Sequence, residues 1–320
     1  MTSGVPQGRS VTVRVPAKIN LELTVGPLRA DGYHDLATVF HAVSLYDELI
    51  VEPAQDWTVH ATGDFGALVP RGSDNLAVRA MQDLAHAAGV DQAARIEIRK
   101  QIPVAGGMAG GSADAAAALV AADALWGLAT PRRVLDELAA GLGSDVPFAL
   151  TGGTAMGSGR GERLAPVLTH GTFSWVLALS ETGLSTPEVY AECDRLREGS
   201  LVADPRPSPG MMAALRSGSA AALGRALAND LQPAALRLRP ELGDVVDFGM
   251  ARGALGAVVS GSGPTVAFLT GGVEPALDLA AALQESPLAS SVRRASGPVH
   301  GARVVIPSAE RREHPAGRRS

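Results

Sequence analysis

Residues 102–118 read IPVAGGMAGGSADAAAA. The stretch before them, ARIEIRK at 94–100, alternates apolar and polar side chains and predicts a strand. The stretch after them is nearly all alanine and predicts a helix over 112–126. Four glycines, Gly106, Gly107, Gly110 and Gly111, therefore fill the connection between a strand and the start of a helix. Backbone N–H groups at a helix N-terminus lack partners within the helix and carry the positive end of its dipole, so they attract phosphate. Glycine removes the Cβ that would hold the backbone away from the anion. Ser112 stands where its hydroxyl could reach a phosphate oxygen or a magnesium ion. The loop is not a Walker A motif, because no lysine follows the second glycine pair. It fits a dinucleotide fold poorly, since the strand ahead of it is charged and not uniformly apolar. Flexible glycine loops are common, but a serine and an alanine helix directly behind this one point to phosphate binding.

The 320 residues suffice for two ordinary domains or one large one. With 46% hydrophobic and 19% charged residues there is ample core material, which excludes wholesale disorder. A net charge of −5 argues against a general nucleic-acid binder. The lone cysteine, Cys193, excludes an internal disulfide framework and a cysteine-based zinc or iron–sulfur site. The longest apolar run, 115–122, is too short to span a bilayer, and the N-terminus has no apolar signal core. Together these features predict a cytoplasmic protein with neither nucleic acid nor membrane as partner. Among 28 basic residues only Lys18 and Lys100 are lysine. Lysine is a compact point charge and arginine a planar fork, so a chain this biased keeps lysine where arginine would not serve. For Lys100, at the end of a polar strand, a leftover of codon usage is the simpler account.

Outward from the glycine loop, VTVRV (11–15) and LELTV (21–25) predict two strands, and RADGYHDL (29–36) a turn on Asp31-Gly32. ELIVE and WTVHAT predict further strands. Ser73 or Asp74 is expected to cap a helix that stops at Gly89. Pro131, suited to a first turn, is expected to open another that closes at Gly141. Beyond a composition shift at 165–172 come a strand, FSWVLAL, and helices near 187–197, 209–216, 220–228 and 240–252. The strands GAVVS and TVAFL, one more helix, and the short strands SVRRA and ARVVI follow. Without its helical insertion this half reads β-α-β-β-α-β, the split pattern of a ferredoxin-like layer.

Other motifs admit two readings each. SGSGPTV (260–266) is a tight hairpin turn or part of a site, and MGSGRGE (156–162) is more simply a structural turn with Arg160 a solvated charge. In PAKINL (16–21), Lys18 and Asn20 lie two apart and share a face of an extended segment, where an ammonium and an amide could hold a hydroxyl-bearing substrate. A surface lysine in a strand connection is the ordinary alternative. Asp145 in GSDVPFAL, and Asp114 in the first turn of the alanine helix, are each either functional carboxylates or local helix-terminus residues.

PAKINL, the pattern P-x(3)-G-x-x-G-G-S-x-D-A from Pro103, and G-S-G-P-T at 261–265 together resemble the three motifs of the GHMP kinase superfamily. PAKINL with DGYH (31–34) narrows the resemblance to its branch acting on a cytidine diphosphate ester of methylerythritol, and GSDVPF (143–148), STPEVY (185–190) and NDLQ (229–232) support it. The match spans roughly 11–306. It implies an α+β fold of two domains. A ribosomal-protein-S5-domain-2-like α/β domain at 11–168 would precede a ferredoxin-like domain with a helical insertion at 169–307, with disordered ends at 1–10 and 308–320. It implies phosphoryl transfer from ATP, with Mg2+, to an alcohol of a small-molecule substrate by a monomer or homodimer. By this match Asp145 would accept the hydroxyl proton and Lys18 would stabilise the oxygen as it becomes nucleophilic. Pro103, Val104, Ala105, Gly106, Gly107, Met108, Ala109, Gly110, Gly111, Ser112 and Ala113 would wrap the ATP phosphates, with Asn75 and Leu76 near the adenine. Tyr33, His34 and Tyr190 would hold the cytosine, Asn20 and Thr186 would contact the acceptor, and Ser112 would reach the metal.

The loop departs from the family's usual GLGGGSSD: Met108, Ala109 and Ala113 stand where Leu, Gly and a second Ser are common. Besides Asp114 and Asp145 these motifs offer no convincing carboxylate partner for magnesium. The competing readings are another kinase of the superfamily, acting on mevalonate derivatives or homoserine, and a nucleotide-binding protein without turnover. An NAD-dependent dehydrogenase fits neither the strand nor the loop.

Overall fold

A computed structural model describes residues 10–180 and 182–305. Apart from Ser10, the ends expected to be disordered lie outside the described residues, as does Ile306 of the ARVVI segment.

The first sheet is built on a long antiparallel hairpin of β1 (Val11–Leu28) and β2 (His34–Ala54), joined by the turn at Asp31-Gly32. The two expected strands VTVRV and LELTV are therefore one. The register shifts between Pro16 and Ala17 and again between Asn20 and Glu22, so a bulge lies on each side of Lys18 and Asn20. Bulges re-aim side chains and interrupt the pattern that a sequence reading follows. Beyond β3 (Thr58–Thr62) and α1 (Leu76–Ala88), β4 (Ala93–Arg99) pairs with β2 and β3. Next come α2 (Gly110–Trp126), α3 (Arg132–Leu142), α4 (Val146–Thr151), β5 (Thr154–Gly159) and β6 (Arg163–Pro166). β5 pairs with the first half of β2 and with β6.

A helix that is apolar all round must be buried all round. Ala113 through Leu119, with Ala121 and Ala122, are buried, and α2 packs against α1, α4, β1 and β2 as the central helix of this half. Alanine allows those neighbours to approach closely. Three boundaries differ from expectation. Asn75, not Ser73 or Asp74, caps α1, its Oδ1 accepting from the N–H groups of Ala77 and Val78. Pro131 occupies the N-cap of α3, which runs through Gly141 to Leu142. α2 starts at Gly110, two residues before Ser112.

The second sheet contains β7 (Phe173–Leu179), β9 (Gly256–Val259), β10 (Val266–Thr270) and β11 (Ser291–Gly297) in the order β11-β7-β10-β9, all antiparallel. With α10 (Val273–Gln284) between β10 and β11, this is the ferredoxin-like arrangement expected. Between β7 and β9 lie α5 (Thr186–Leu196), α6 (Pro209–Ser217), α7 (Ala220–Ala226), α8 (Gln232–Leu238) and α9 (Glu241–Ala251). The seven-residue α8 had no counterpart in the sequence reading, being short and opened by Pro233. β8 (Ala228–Asn229) runs parallel to β1. The last strand, β12 (Arg303–Val304), returns to the first sheet and pairs with β1 instead of ending the second. Among the described residues no helix is long and apolar enough to cross a membrane.

Candidate active site

The middle of β1 is buried on both faces. Ala17, Ile19 and Leu21 enter the core, while Lys18 and Asn20 line a cavity of about 310 Å³. Lys18 is no surface lysine: it is 7% exposed. Its Nζ donates to Asn20 Oδ1 at 2.7 Å, and Asn20 Nδ2 donates to Thr38 Oγ1 at 2.8 Å. Thr38 donates onward to the Glu22 carbonyl, so the Asn20 amide is held with its oxygen toward the ammonium. Asp145 precedes α4, but its side chain makes no capping hydrogen bond. Its Oδ2 lies 3.8 Å from Lys18 Nζ on the wall of the same cavity. Burial pushes the Lys18 pKa below the ordinary amine value, and Asp145 works against that shift.

The glycine loop lines the same cavity and touches β1, the Lys18 N–H donating to the Met108 carbonyl at 3.3 Å. Ala105, Gly106, Gly107, Ala109, Gly110, Gly111 and Ser112 line the cavity, together with Leu76. Gly107 has φ +76°, and a Cβ there would stand 1.9 Å from the Ser260 carbonyl oxygen. The loop thus packs backbone to backbone against SGSGPTV, with Ser260 Oγ donating to the Gly107 carbonyl at 2.9 Å. SGSGPTV is both the turn between β9 and β10 and part of the site, since Gly261 and Ser262 line the cavity. Neither was among the expected site residues, although the motif containing them was legible. Ala109, where glycine is usual, has φ +59°, a left-handed conformation that costs a non-glycine residue about 1–2 kcal/mol.

Some expected ATP contacts do not reach the cavity. Met108 and Ala113 are buried in the core, Val104 packs against it, and Pro103 is buried beneath the loop. The Asn75 side chain caps α1 and donates through Nδ2 to the Pro70 carbonyl at 2.8 Å, and it does not line the cavity.

A second cavity of about 590 Å³ adjoins the first and shares Leu36, Ser144, Arg160, Thr186 and Tyr190 with it. Tyr33 and His34 lie on its wall. The His34 ring stacks on Tyr190 with centroids 5.2 Å apart, and His34 Nε2 lies 2.8 Å from Asp194 Oδ1. Burial raises the Tyr190 pKa, and Asp145 adds to that shift, so its hydroxyl stays protonated. Thr186 Oγ1 and Ser262 Oγ are 2.9 Å apart, joining α5 to the late glycine motif. Arg160 is a wall residue of both cavities, its guanidinium 5.2 Å from the Tyr33 ring centroid, and not merely a solvated charge. In a chain rich in arginine no sequence signal set it apart.

Asp114 is removed as a metal candidate. It is buried off the cavity, with Oδ2 2.6 Å from Lys100 Nζ. Among the described residues no group of three or more His, Cys, Asp or Glu side chains could hold a metal ion. Of the residues considered from the sequence, the Ser112 hydroxyl and the Asp145 carboxylate remain on the cavity, a donor set that fits a magnesium ion keeping mostly water and phosphate ligands.

Comparison with known proteins adds the following. A family model described as "GHMP kinases N terminal domain" matches residues 75–153, and one described as "GHMP kinases C terminal" matches 211–287. The 4-diphosphocytidyl-2-C-methyl-D-erythritol kinase of Thermobifida fusca is 57% identical over 308 residues, covering 92% of this chain and 98% of that protein. The kinase of the same name from Mycolicibacterium smegmatis is 56% identical over 304 residues, with 94% of each chain covered. A crystal structure of 4-(cytidine 5'-diphospho)-2C-methyl-D-erythritol kinase superposes with a TM-score of 0.74 at 35% identity, covering 89% of this chain and 98% of that one.

Proposed function

This chain belongs to the GHMP kinase family, and we propose that it transfers the γ-phosphoryl group of ATP to the 2-hydroxyl of 4-diphosphocytidyl-2-C-methyl-D-erythritol, giving the 2-phosphate and ADP in the non-mevalonate isoprenoid pathway. The observation that carries this reading is the meeting of Lys18 and Asp145 with the glycine loop in one cavity that opens beside an aromatic one. The high identity to relatives of this name over nearly the whole chain favours this acceptor over mevalonate derivatives or homoserine.

Phosphoryl transfer asks mainly for positioning and charge stabilisation. The phosphates lie against the N–H groups at the start of α2, where the unsatisfied donors and the helix dipole favour an anion. Magnesium, when bound, neutralises phosphate charge, with Ser112 the residue that reaches it. The acceptor hydroxyl points at Asp145, which takes its proton as the oxygen forms the new P–O bond and ADP leaves. Lys18, held by Asn20 and stripped of water, faces the developing negative charge. Thr186 holds the acceptor. The cytosine enters the second cavity, between aromatic faces of Tyr33 and Tyr190 and beside His34. Such a cytoplasmic enzyme acts as a monomer or homodimer.

The test is coupled ADP release with a panel of acceptors: the cytidine diphosphate ester, methylerythritol phosphate without the cytidine, mevalonate, phosphomevalonate and homoserine. Turnover is expected with the first alone. Efficient use of mevalonate, phosphomevalonate or homoserine, with none of the cytidine ester, would overturn the acceptor assignment.

A further inference from the structure

Beneath the glycine loop, outside both cavities, lies a second buried cation. Lys100 directly follows β4 and is 1% exposed. Its ammonium donates to Asp47 Oδ2 at 2.6 Å, to Asp114 Oδ2 at 2.6 Å and to the Gly110 carbonyl at 2.8 Å. All three N–H donors are thereby used. Asp47, itself fully buried, accepts with its other oxygen from the N–H groups of Gln101 at 2.6 Å and Ile102 at 2.9 Å.

The contacts fall on the two ends of one loop. Through Asp47 the ammonium fixes residues 101 and 102, where the chain enters the loop. Through Gly110 and Asp114 it fixes the first turn of α2, where the chain leaves it. The wall residues of the loop hang between these clamps. A Cβ added to Gly110 would stand 3.1 Å from Lys100 Nζ, so the lysine sits directly against the helix start. Burial works against the ammonium, but Asp114 and Asp47 outweigh it and hold the Lys100 pKa above the ordinary amine value. Burial likewise pushes the Asp114 carboxyl well above the usual carboxylate range, against the pull of Lys100. Three ionisable groups in a dry interior are a poor device for stability alone, since packed apolar side chains serve as well or better. What they provide is direction: the Gly110 carbonyl is aimed at a fixed cation, and the Gly111 N–H, in the same peptide plane, is oriented with it. A planar guanidinium could not place three donors in this way.

We propose that Lys100, with Asp47 and Asp114, is a positioning network for ATP that sets the geometry of the glycine loop without touching the nucleotide. The inference rests on the reading of that loop as the phosphate site.

Lys100→Met alone leaves two buried carboxylates without a cation and is expected to fold poorly. The double variant Lys100→Met with Asp114→Leu removes opposite charges together, and Asp114→Asn keeps both shape and an acceptor oxygen. For each, thermal melting is compared with calorimetric titration by a non-hydrolysable ATP analogue, and with KM for ATP and for the acceptor. The double variant leaves one buried carboxylate, Asp47, held by the N–H groups of Gln101 and Ile102, and is expected to melt below wild type but above Lys100→Met. Its Kd for the analogue and its KM for ATP should rise by about tenfold or more, because small misplacements of a positioning element carry penalties of that order. KM for the acceptor should stay within about twofold, a split that a general loss of structure would not produce. Asp114→Asn should shift the ATP constants in the same direction by less. Wild-type ATP affinity in a folded double variant, or in Asp114→Asn should the double variant not fold, overturns the proposal. So does an equal rise in both KM values. Wild-type protein that binds no ATP in the same calorimeter would instead overturn the phosphate-site reading.

Discussion

Gly111→Val separates phosphate access from folding. Gly111 lies in the first turn of α2 and faces the 310 Å³ cavity. A Cβ built there meets one neighbour, Leu76 Cδ1 at 3.6 Å, which is ordinary contact. The adjacent Gly110 is different, because its Cβ would stand 2.9 Å from the Pro103 carbonyl oxygen and a variant there would disturb the loop itself. At position 111 the helix gains a few tenths of a kcal/mol, roughly, since valine is less unfavourable than glycine in a helix interior. The branched side chain then occupies the space through which a phosphate oxygen must come to about 2.9 Å from a backbone nitrogen. Losing one hydrogen bond to a charged group costs about 1.5–3 kcal/mol, or roughly 10- to 150-fold in Kd. Calorimetric titration with a non-hydrolysable ATP analogue, beside a melting curve, measures both effects. The expected result is an unchanged or slightly raised Tm with the weakened affinity. An affinity within twofold of wild type would show that no phosphate approaches this turn.

Asp145→Asn keeps the shape but removes the proton acceptor, so kcat should fall by about two to four orders of magnitude while the ATP analogue still binds; near-wild-type turnover would remove Asp145 from the chemistry. Tyr33→Ala and Tyr190→Ala should each raise KM for the cytidine ester by about tenfold or more, given about 1–3 kcal/mol for a base stacked on an aromatic ring. KM for ATP should barely move in Tyr33→Ala, whose ring lines the second cavity alone; a rise there would show that the aromatic cavity is not the acceptor's. Burial holds the His41 pKa down to about 3, so between about pH 6.5 and 3 the unfolded chain binds a proton that the folded chain refuses. Its contribution is complete above pH 6.5 and is lost on acidification, by about 1.4 kcal/mol per pH unit within that window. Urea unfolding of wild type and His41→Gln at pH 7.5, 5.5 and 4.5 should show the steeper loss in wild type, and equal slopes would refute the assignment.

The glycine loop, the central alanine helix and the ferredoxin-like layer were legible because each rests on local chemistry: backbone freedom, side-chain size and hydrophobic period. Lys18 and Asn20 were legible as a pair on one face, but the strand carrying them was read as two, since Pro16 and the bulges around it break the alternation. Asn75 illustrates the reverse case. Its type suits both a cap and an adenine contact, and only the positions of Pro70, Ala77 and Val78 show that its oxygen is taken up by the cap and that its Nδ2 already donates to a carbonyl. Arg160 and Lys100 lay beyond a one-dimensional reading. The first takes its place from β5 pairing with β2, and the second from Asp47, which lies 53 residues away in the chain. Lys100 carries one signal in the sequence, its rarity, but the strand before it alternates with charged residues and reads as solvated. The register of β4 on β2 explains the mismatch: Ile96 and Ile98 face the core, and Lys100 continues on that buried side.

The return of β12 to β1 constrains how the protein is made. Val13 and Arg14 lie opposite Val304 and Arg303, and the Val305 amide donates to the Thr12 carbonyl at 2.7 Å. The approach to β12 is also tied to the helix behind Asp145, with the Ala302 amide donating to the Ala149 carbonyl at 2.8 Å and the Gly301 amide to that of Thr151 at 3.3 Å. During synthesis β1 emerges long before β12; β8 covers the β1 edge at Glu22 and Leu23 earlier, but the edge at Val13 and Arg14 waits for β12. Until then the growing polypeptide presents an open strand edge, the kind of surface that recruits other chains. β12 is made after every other described strand and helix, so the strand bearing Lys18 and the helix following Asp145 are completed together and after the rest.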